Sequence, residues 1–321
     1  MYLWHTFMML SNSKRLLIIC QKVDEQDDLL GFFVGWIREF QRYFQVEVVA
    51  LHGPQPRPKL VRWMVFVWNV LRAARRSDAV FCHMSPIFAV IAALGGKPVS
   101  LWYLHRSVTW RLKLAQKFSQ KIFTASAESL RLESKKIVAV GHGIDAARFA
   151  TKRDWRSAER ILSVGRISPI KDFETLLRTG LPVTIVGRPI MSGDAEYFEK
   201  LKQYSNANFE GFVPYIKMPE YYANADIFVN CSPTGGIDKA VLEAMASGCI
   251  VLVCNEAFRN DLPPELFFKD GDSANLADAI RRVQSKSPQE LQSLSGALLQ
   301  RVRSKHALTA TIHNIAKHIA F

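Results

Sequence analysis

Two glycines and two cations follow hydrophobic segments in the second half of the chain. One segment ends in Gly165 and Arg166, with Lys171 five residues after the arginine, and the next segment ends in Gly187. Glycine lets a backbone pass close to a ligand, and an arginine near a lysine presents the positive charge that suits a diphosphate. We therefore predict a diphosphate site at Arg166 and Lys171; the alternative is a solvated strand end.

A pair of glycines and a carboxylate mark a second candidate segment. Gly235 and Gly236 precede a helical pattern, and the free N–H groups at the start of a helix favour phosphate. Glu243 lies inside that pattern, between Leu242 and Ala244. A carboxylate among apolar residues needs hydrogen-bond partners, and a pair of ribose hydroxyls would supply them. The alternative is an ion pair between Glu243 and a nearby lysine.

Hydrophobic segments of strand length alternate with helical patterns along most of the chain. Short aliphatic runs such as 16–20 and 160–164 are typical of buried strands, and the alternation favours parallel sheets covered by helices. A length of 321 residues exceeds what a single core normally supports. We predict an α/β fold of two Rossmann-like, doubly wound lobes facing each other across a cleft, with bounds at 1–145, 146–305 and, for a C-terminal helix returning to the first lobe, 306–321.

Further short segments extend this pattern in a fixed order. Residues 210–213 read Glu-Gly-Phe-Val, and residues 141–145, just before the predicted link between the lobes, read Gly-His-Gly-Ile-Asp. Together with the glycine, cation and glutamate segments, they resemble the retaining nucleotide-sugar glycosyltransferases of the GT-B architecture, the group 1 or family 4 class. The resemblance covers essentially the whole second lobe.

The resemblance implies how a donor would bind and react. Arg166 and Lys171 match the basic pair that holds the nucleotide diphosphate, and Glu243 matches the second glutamate of the E-x7-E motif, which binds the ribose. His105 matches a first-lobe histidine that approaches the donor sugar. The donor would be a UDP- or GDP-type nucleotide sugar, and neither a metal nor another cofactor would be needed. Transfer would retain configuration through an oxocarbenium-like transition state.

The resemblance also assigns donor contacts to several loops and reveals a departure. The implied donor-binding positions are Gly165, Gly187, Gly211, Phe212, Val213, Gly235, Gly236, Ile237, Asp238, Lys239 and Glu243. The first glutamate of E-x7-E falls on Gly235, so the side chain that usually contacts the donor-sugar hydroxyls is missing. Asp238 and Lys239 are candidates to replace it, and a different preferred sugar is the alternative.

Positive charge is concentrated in the first half of the chain. The sequence carries +13, and between residues 48 and 127 twelve basic residues stand against one acid, Asp78. Such an excess favours an anionic partner. Two basic, aromatic stretches, 57–76 and 106–121, indicate peripheral contact with an anionic membrane and a saccharide or lipid-linked acceptor. The alternative for the first stretch is a helix with a solvated basic face that packs on the sheet through Leu60, Met64, Val67 and Leu71.

Other features narrow the class of protein. The positive charge comes without a recognised nucleic-acid motif, so we expect no nucleic-acid partner. Five cysteines without a C-x-x-C pair predict buried thiols in a reducing cytosol. The apolar start, 1–10, lacks the pattern of a secretory signal, so we expect a cytoplasmic protein, with membrane contact at the inner face. Asp270 and Asp272 match a metal-binding D-x-D pattern, but they precede a helical pattern, which predicts a turn and a cap.

Two other functions remain open beside sugar transfer. One is a nucleotide-sugar epimerase of GT-B fold, which needs acid and base groups that remove and return a sugar proton. The glycine at 235 removes one obvious candidate for such a group. The other is a nucleotide-binding scaffold that has lost activity together with the first glutamate of E-x7-E.

Overall fold

The computed structural model describes residues 14–53, 56–233, 235–319 and 321 of the chain. The apolar start at 1–10, for which no secretory signal is predicted, lies outside these residues. Among the described residues, no helix is both long enough and apolar enough to cross a membrane. All five cysteines are described, and each is a buried free thiol.

The chain divides into two compact units. The first unit is the chain up to Gly143 together with Leu308–Phe321, and the second unit is Ile144–Ala307. The C-terminal helix thus belongs to the first unit. These limits lie within two residues of the bounds expected from the sequence, which are 1–145, 146–305 and 306–321.

A six-stranded sheet forms the centre of the first unit. Its strands are β1 (Arg15–Lys22), β2 (Gln45–His52), β3 (Ala79–His83), β4 (Val99–Trp102), β5 (Lys121–Thr124) and β6 (Ile137–Ala139). They are all parallel and stand in the order β2-β1-β3-β4-β5-β6. Residues 16–20 of β1 are all buried, because helices cover both faces of a parallel sheet.

Two sets of helices bury apolar side chains against this sheet. The helices are α1 (Phe33–Phe40), α2 (Lys59–Arg76), α3 (Pro86–Ala93), α4 (Trp110–Phe118) and, at the C-terminus, α11 (Leu308–His318). One core contains side chains of α2, α3 and α4, and the other contains side chains of α1 and α11, including Ile312 and Ile315. Helix α11 therefore completes the first unit.

The face of α2 that packs on the sheet differs in part from the one named in the alternative interpretation of this stretch. Phe66 and Val70 are buried, whereas Leu60 and Met64 are 73% and 65% exposed. Both sets of residues repeat at helical spacing, so periodicity alone does not decide which face is buried. The small side chains of Ala73 and Ala74, which are also buried, continue the packed face. In that alternative, Leu60 and Met64 are wrong as packing residues, whereas Val67 does pack against the core.

A five-stranded parallel sheet forms the centre of the second unit. Its strands are β7 (Ile161–Val164), β8 (Val183–Val186), β9 (Ala207–Gly211), β10 (Ile227–Asn230) and β11 (Ile250–Val253). They stand in the order β11-β10-β7-β8-β9, so the chain leaves β7 in one direction and returns on its other side with β10. Ligands of such sheets bind outside the carboxyl ends of the strands at this switch point.

One helix of the second unit begins at the switch point of the sheet. The helices of this unit are α5 (Phe173–Leu177), α6 (Asp194–Leu201), α7 (Met218–Ala223), α8 (Lys239–Ala246), α9 (Ser273–Gln284) and α10 (Pro288–Lys305). Helix α8 follows β10 and is buried from Val241 to Ala246. Its N-cap is Asp238, whose side chain accepts the N–H of Ala240 at 3.1 Å. The start of α8 therefore has a fixed position beside the ends of β7 and β10.

Candidate functional site

Three glycines line up at the carboxyl ends of β7, β8 and β9. The N–H of Gly165 donates to Val186 at 2.9 Å, and the N–H of Gly187 donates to Gly211 at 3.0 Å. Gly187 has φ +146°, and a Cβ there would overlap with the carbonyl oxygen of Gly165. The backbone at Gly187 thus needs glycine because another strand end lies against it, which is a reason independent of any ligand.

Lys171 and Asp238 join the end of β7 to the start of α8. The aliphatic part of the lysine lies over Gly165, and its Nζ is 2.5 Å from Asp238 Oδ2. The side chains are only 24% and 19% exposed. Because Lys171 follows β7 and Asp238 follows β10, this ion pair lies at the switch point of the sheet.

Asp238 is held by two further donors. Its Oδ2 accepts a hydrogen bond from Asn230 Nδ2 at 3.1 Å, in addition to the Ala240 N–H on Oδ1. Burial by itself would raise the pKa of Asp238, but the charge and hydrogen bond of Lys171 outweigh it and hold the pKa below its usual value. Asp238 is therefore an anion at neutral pH.

Arg166, the other predicted cation, has a looser partner. Its Nε lies 3.7 Å from Asp194 Oδ2, and its side chain is 38% exposed. Asp194 also accepts the N–H groups of Met191 and Ile190 at 2.8 and 3.1 Å, and these hydrogen bonds with the nearby Arg166 lower its pKa. The guanidinium of Arg166 is thus less tightly bound than the ammonium of Lys171.

Glu243 is 2% exposed and already has three donors from the second unit. Its Oε1 accepts from Lys239 Nζ at 2.7 Å and from Tyr215 Oη at 2.9 Å, and its Oε2 accepts from Tyr222 Oη at 3.0 Å. Burial and the adjacent glutamate raise the pKa of both tyrosines well above their usual value, so they stay protonated donors. The carboxylate therefore has partners within the chain itself, and the lysine pair given as the alternative is present.

The loop between β10 and α8 has a backbone that only glycine adopts easily. Gly235 has φ +125°, and a Cβ there would meet nothing within 4 Å. The carbonyl of Gly236 accepts a hydrogen bond from Asn255 Nδ2 at 3.2 Å, and Ile237 is buried. The loop thus has space at position 235, but its backbone conformation disfavours a glutamate there.

The segment predicted to contact the base follows β9. Gly211 ends the strand with φ +68°, Phe212 is 46% exposed, and Val213 is buried. The guanidinium of Arg188 lies 4.9 Å from the Phe212 ring centre, a cation–π contact. An exposed aromatic ring with a cation over it can accept a planar base, so the geometry is compatible with the predicted role.

His105 belongs to the first unit, whereas the other predicted site residues belong to the second. It is exposed, follows β4 and lies edge-on to Tyr103 with ring centres 5.4 Å apart. Partial desolvation of its imidazole lowers its pKa, so it is neutral at physiological pH. Within the second unit, the structure brings Lys171 and Asp238 into contact, whereas Arg166, just after β7, lies beside Asp194.

His83, at the end of β3, is a buried ring among aromatic side chains. Its ring centre lies 4.1 Å from that of Phe33, and Trp36 and Phe32 are also close. Burial, with a smaller effect of His142, lowers the pKa of His83 to about 3. A neutral histidine packed between aromatic rings supports a structural role.

The Asp270 and Asp272 pair is a turn and a helix cap. Asp272 Oδ1 accepts the N–H of Asn275 at 3.0 Å and caps α9. Within the part of the chain that the structure describes, no three metal-ligating side chains cluster. The cap interpretation of this D-x-D pattern is confirmed.

Sequence reasoning missed the two tyrosines and the asparagine that hold the carboxylates of this site. Tyr222 lies in α7 and Tyr215 just before it, and both reach Glu243 in α8 only because the fold packs these elements together. Asn230 ends β10 beside Asp238. A polar residue at the end of an apolar strand, as in Ile-Phe-Val-Asn, was the available signal for Asn230.

Residues 158–286 match the protein family described as group 1 glycosyl transferases. The matched residues lie within the second unit, Ile144–Ala307. The sulfoquinovosyl transferase SQD2 of Arabidopsis thaliana is 26% identical over 207 residues, which make up 56% of this chain and 39% of that protein. The chain therefore spans well under half of the length of this curated relative.

Solved structures extend the similarity of this glycosyltransferase domain to both units. HepE from Anabaena, crystallised with UDP and glucose, superposes with a TM-score of 0.75 at 14% identity, covering 95% of this chain and 99% of HepE. Sucrose-phosphate synthase from Thermosynechococcus elongatus also gives 0.75, at 16% identity, covering 95% and 98%. Similarity at such identities shows the fold, and it confirms the prediction of two Rossmann-like α/β units of the GT-B type.

Proposed function

We propose that the chain transfers a sugar from a nucleotide-diphosphate sugar to an acceptor, with retention of configuration. The observation that carries the proposal is the contact of Lys171 with Asp238 at the start of α8, at the switch point of the unit that matches the group 1 glycosyl transferases, with Arg166 directly after the end of β7. Two cations and a helix N-terminus form the arrangement that a diphosphate needs. The binding of UDP and glucose by HepE, which has the same fold, favours a UDP- or GDP-type donor.

Each candidate site residue has a definite task in this proposal. Arg166 and Lys171 stabilise the negative charge that develops on the leaving diphosphate, as preorganised cations do in a transition state. Glu243 binds the ribose hydroxyls, and the backbone from Gly211 to Val213 contacts the base. His105, which is neutral, approaches the donor sugar and accepts or donates a hydrogen bond there. Protein cations would make a metal ion unnecessary.

The acceptor, a saccharide or lipid-linked saccharide, would bind to the first unit at an anionic membrane. Helix α2 exposes Leu60, Met64 and Trp68 at four-residue intervals, and hence on one side, with Trp68 68% exposed. Exposed basic residues, including Arg72 and Arg75, lie on the same helix. Apolar side chains that enter a lipid interface, together with cations that attract anionic headgroups, favour peripheral contact. The buried thiols suit the reducing cytoplasm, so contact would be at the inner face.

The test of the donor is a screen of UDP-, GDP- and ADP-sugars for thermal stabilisation, followed by transfer assays. A ligand that binds the native state raises the unfolding temperature by mass action, so the correct donor should stand out. The anomeric configuration of the product, determined by NMR, tests retention, and full activity in a chelator tests metal independence. Stabilisation without transfer to any acceptor would favour the scaffold, and a changed sugar without an acceptor would favour an epimerase.

The test of membrane contact is co-sedimentation with vesicles of phosphatidylcholine alone or mixed with phosphatidylglycerol. We expect binding to the anionic vesicles only, and a several-fold loss when Leu60, Met64 and Trp68 are all replaced by serine. Replacement of Ile216, an exposed apolar residue of the second unit, is the matched control and should change nothing. Equal binding by the triple variant would exclude α2 as the contact surface.

A further inference from the structure

One of the two cations proposed to hold the diphosphate already contacts an anion of the same site. Lys171 Nζ lies 2.5 Å from Asp238 Oδ2, and both side chains are largely shielded from water. A charge-assisted hydrogen bond with little solvent around it is stronger than an exposed one. Before a donor binds, the positive charge of Lys171 is thus neutralised by a carboxylate of the chain itself.

Asp238 is fixed in place independently of the lysine. Its Oδ1 caps α8 through the N–H of Ala240, and Asn230 Nδ2 donates to its Oδ2. Rotation of the carboxylate away from Lys171 would break the cap and leave Asn230 without this acceptor. The stem of Lys171, in turn, lies across Gly165, where a larger side chain would crowd it. The ammonium is therefore held at the switch point by its stem and by a rigid anion.

The two cations of the site differ in this respect. Arg166 Nε lies 3.7 Å from Asp194 Oδ2 and its side chain is 38% exposed, so its ion pair is looser than that of Lys171. Asp238 stands where the resembled family has a glycine after the aromatic residue of E-x7-E, three positions after Gly235, where the first glutamate of that motif is missing. The chain thus has no carboxylate at position 235 and has one at position 238, which contacts the lysine.

We propose that Asp238 is the resident counter-ion of Lys171, which positions its ammonium at the switch point and competes for it with the diphosphate of the donor. The inference rests on the proposed function. A diphosphate that reaches Lys171 comes close to a fixed carboxylate, and the repulsion between the two anions weakens its binding. The same repulsion speeds the release of the nucleoside diphosphate after the sugar has been transferred.

The decisive variant is Asp238→Asn. Asparagine is as good an N-cap as aspartate, so α8 keeps its cap while the negative charge is removed. Calorimetry should show that UDP or GDP, and inorganic pyrophosphate, bind roughly tenfold more tightly to the variant, because a nearby repulsive charge is gone. Asp272→Asn, which removes the charge from the N-cap of α9, is the matched control and should leave these affinities unchanged.

Steady-state kinetics adds a readout that a structural defect would not produce. In Asp238→Asn, KM for the donor and kcat should fall together, because ligands bind more tightly and the product leaves more slowly. A loosened site would instead raise KM.

Each outcome of the binding experiment has one meaning. Unchanged or weaker binding of UDP, GDP and pyrophosphate by a folded Asp238→Asn protein overturns the inference, and the proposed function stands if the unsubstituted protein binds UDP or GDP. Tighter binding of pyrophosphate alone, with no nucleotide bound by either protein, supports the counter-ion and overturns the proposed function. Binding of none of the three by either protein overturns both.

Discussion

Each unit has its own parallel sheet, with a lysine at or shortly after the end of its first strand. The two lysines differ in the number of carboxylates that contact them. Lys22, at the end of β1, lies 3.0 Å from Asp24 and 2.8 Å from Asp27, whereas Lys171, beyond β7, contacts one carboxylate, Asp238. Two carboxylates leave the strand end of the first unit with net negative charge, and one leaves the ion pair of the second unit neutral, with Arg166 nearby. The two strand ends thus differ in the number of carboxylates that contact their lysine, and under the proposed function the edge with fewer carboxylates is the one that binds the diphosphate.

The positive charge of the first unit lies elsewhere. Its basic residues concentrate on exposed positions of α2 and α4, such as Arg72, Lys113 and Lys117. The second unit places a few cations at one strand edge. A net charge of +13 therefore describes the surface of the first unit and says little about the site of the second.

The largest effect is expected from the paired replacement Arg166→Ala and Lys171→Ala. Under the proposed function, loss of both cations removes the groups that stabilise the leaving diphosphate, so sugar transfer should fall by at least roughly a hundredfold. Lys22→Ala is the matched variant of the first unit and should leave transfer within about twofold, because its lysine serves only its own two aspartates. Transfer rates of purified proteins provide the measurement. Full activity of the double variant, or a comparable loss in Lys22→Ala, would show that the cations of the second unit have no special role in sugar transfer.

The second largest effect is on stability, and it should differ between Gly187 and Gly235 of the second unit. Gly187→Ala forces a Cβ onto the backbone of Gly165, so we expect a loss of about 3 kcal/mol or more in the free energy of unfolding. Gly235→Ala meets open space and costs only about 1 kcal/mol for its positive φ. Urea unfolding followed by circular dichroism gives both values. Similar costs for the two variants would show that the strand-end overlap is relieved by a backbone shift.

Sequence reasoning captured those features that follow from local pattern. Alternating apolar runs and helical patterns predicted two doubly wound units, because a buried parallel strand must be aliphatic on both faces. The glycine and cation at 165 and 166 were found because a strand that ends in such residues is a local signal. Asp272 was predicted as a cap for the same reason, and it caps α9.

The features that sequence reasoning missed depend on contacts between distant elements. Tyr215 and Tyr222 meet Glu243 from 28 and 21 residues away, and Lys171 meets Asp238 across 67 residues. No periodicity encodes such pairs. The alternative interpretation of α2 named Leu60 and Met64 as packing residues for a related reason, since two apolar stripes have equal spacing and only the sheet beneath decides which is buried.

A smaller effect on ligand binding is expected from Glu243→Gln. The change removes the charge that would receive two ribose hydroxyls, so nucleoside-diphosphate binding should weaken by about 1–3 kcal/mol. Tyr222→Phe removes one donor to the same carboxylate without touching its charge, and it should weaken binding less. Calorimetry with UDP and GDP measures both. Unchanged affinity in a folded Glu243→Gln protein would refute the ribose role and leave a purely structural network.

The smallest effect is a difference in acid sensitivity. Burial tends to raise the pKa of Asp238 and of Asp27, but Lys171 and Lys22 respectively outweigh it, so both pKa values lie below the usual 3.8. A carboxylate whose pKa is lower in the folded than in the unfolded protein stabilises the folded state at pH values above its pKa in the unfolded protein. This contribution is lost as the pH falls through its pKa in the folded protein. The free energy of unfolding should therefore drop below about pH 4, and less steeply in Asp238→Asn and in Asp27→Asn. Urea titrations at a series of pH values measure these slopes. A slope reduced in Asp27→Asn but unchanged in Asp238→Asn would mean that the second ion pair does not contribute to stability, and that only the first unit relies on its strand-end carboxylates.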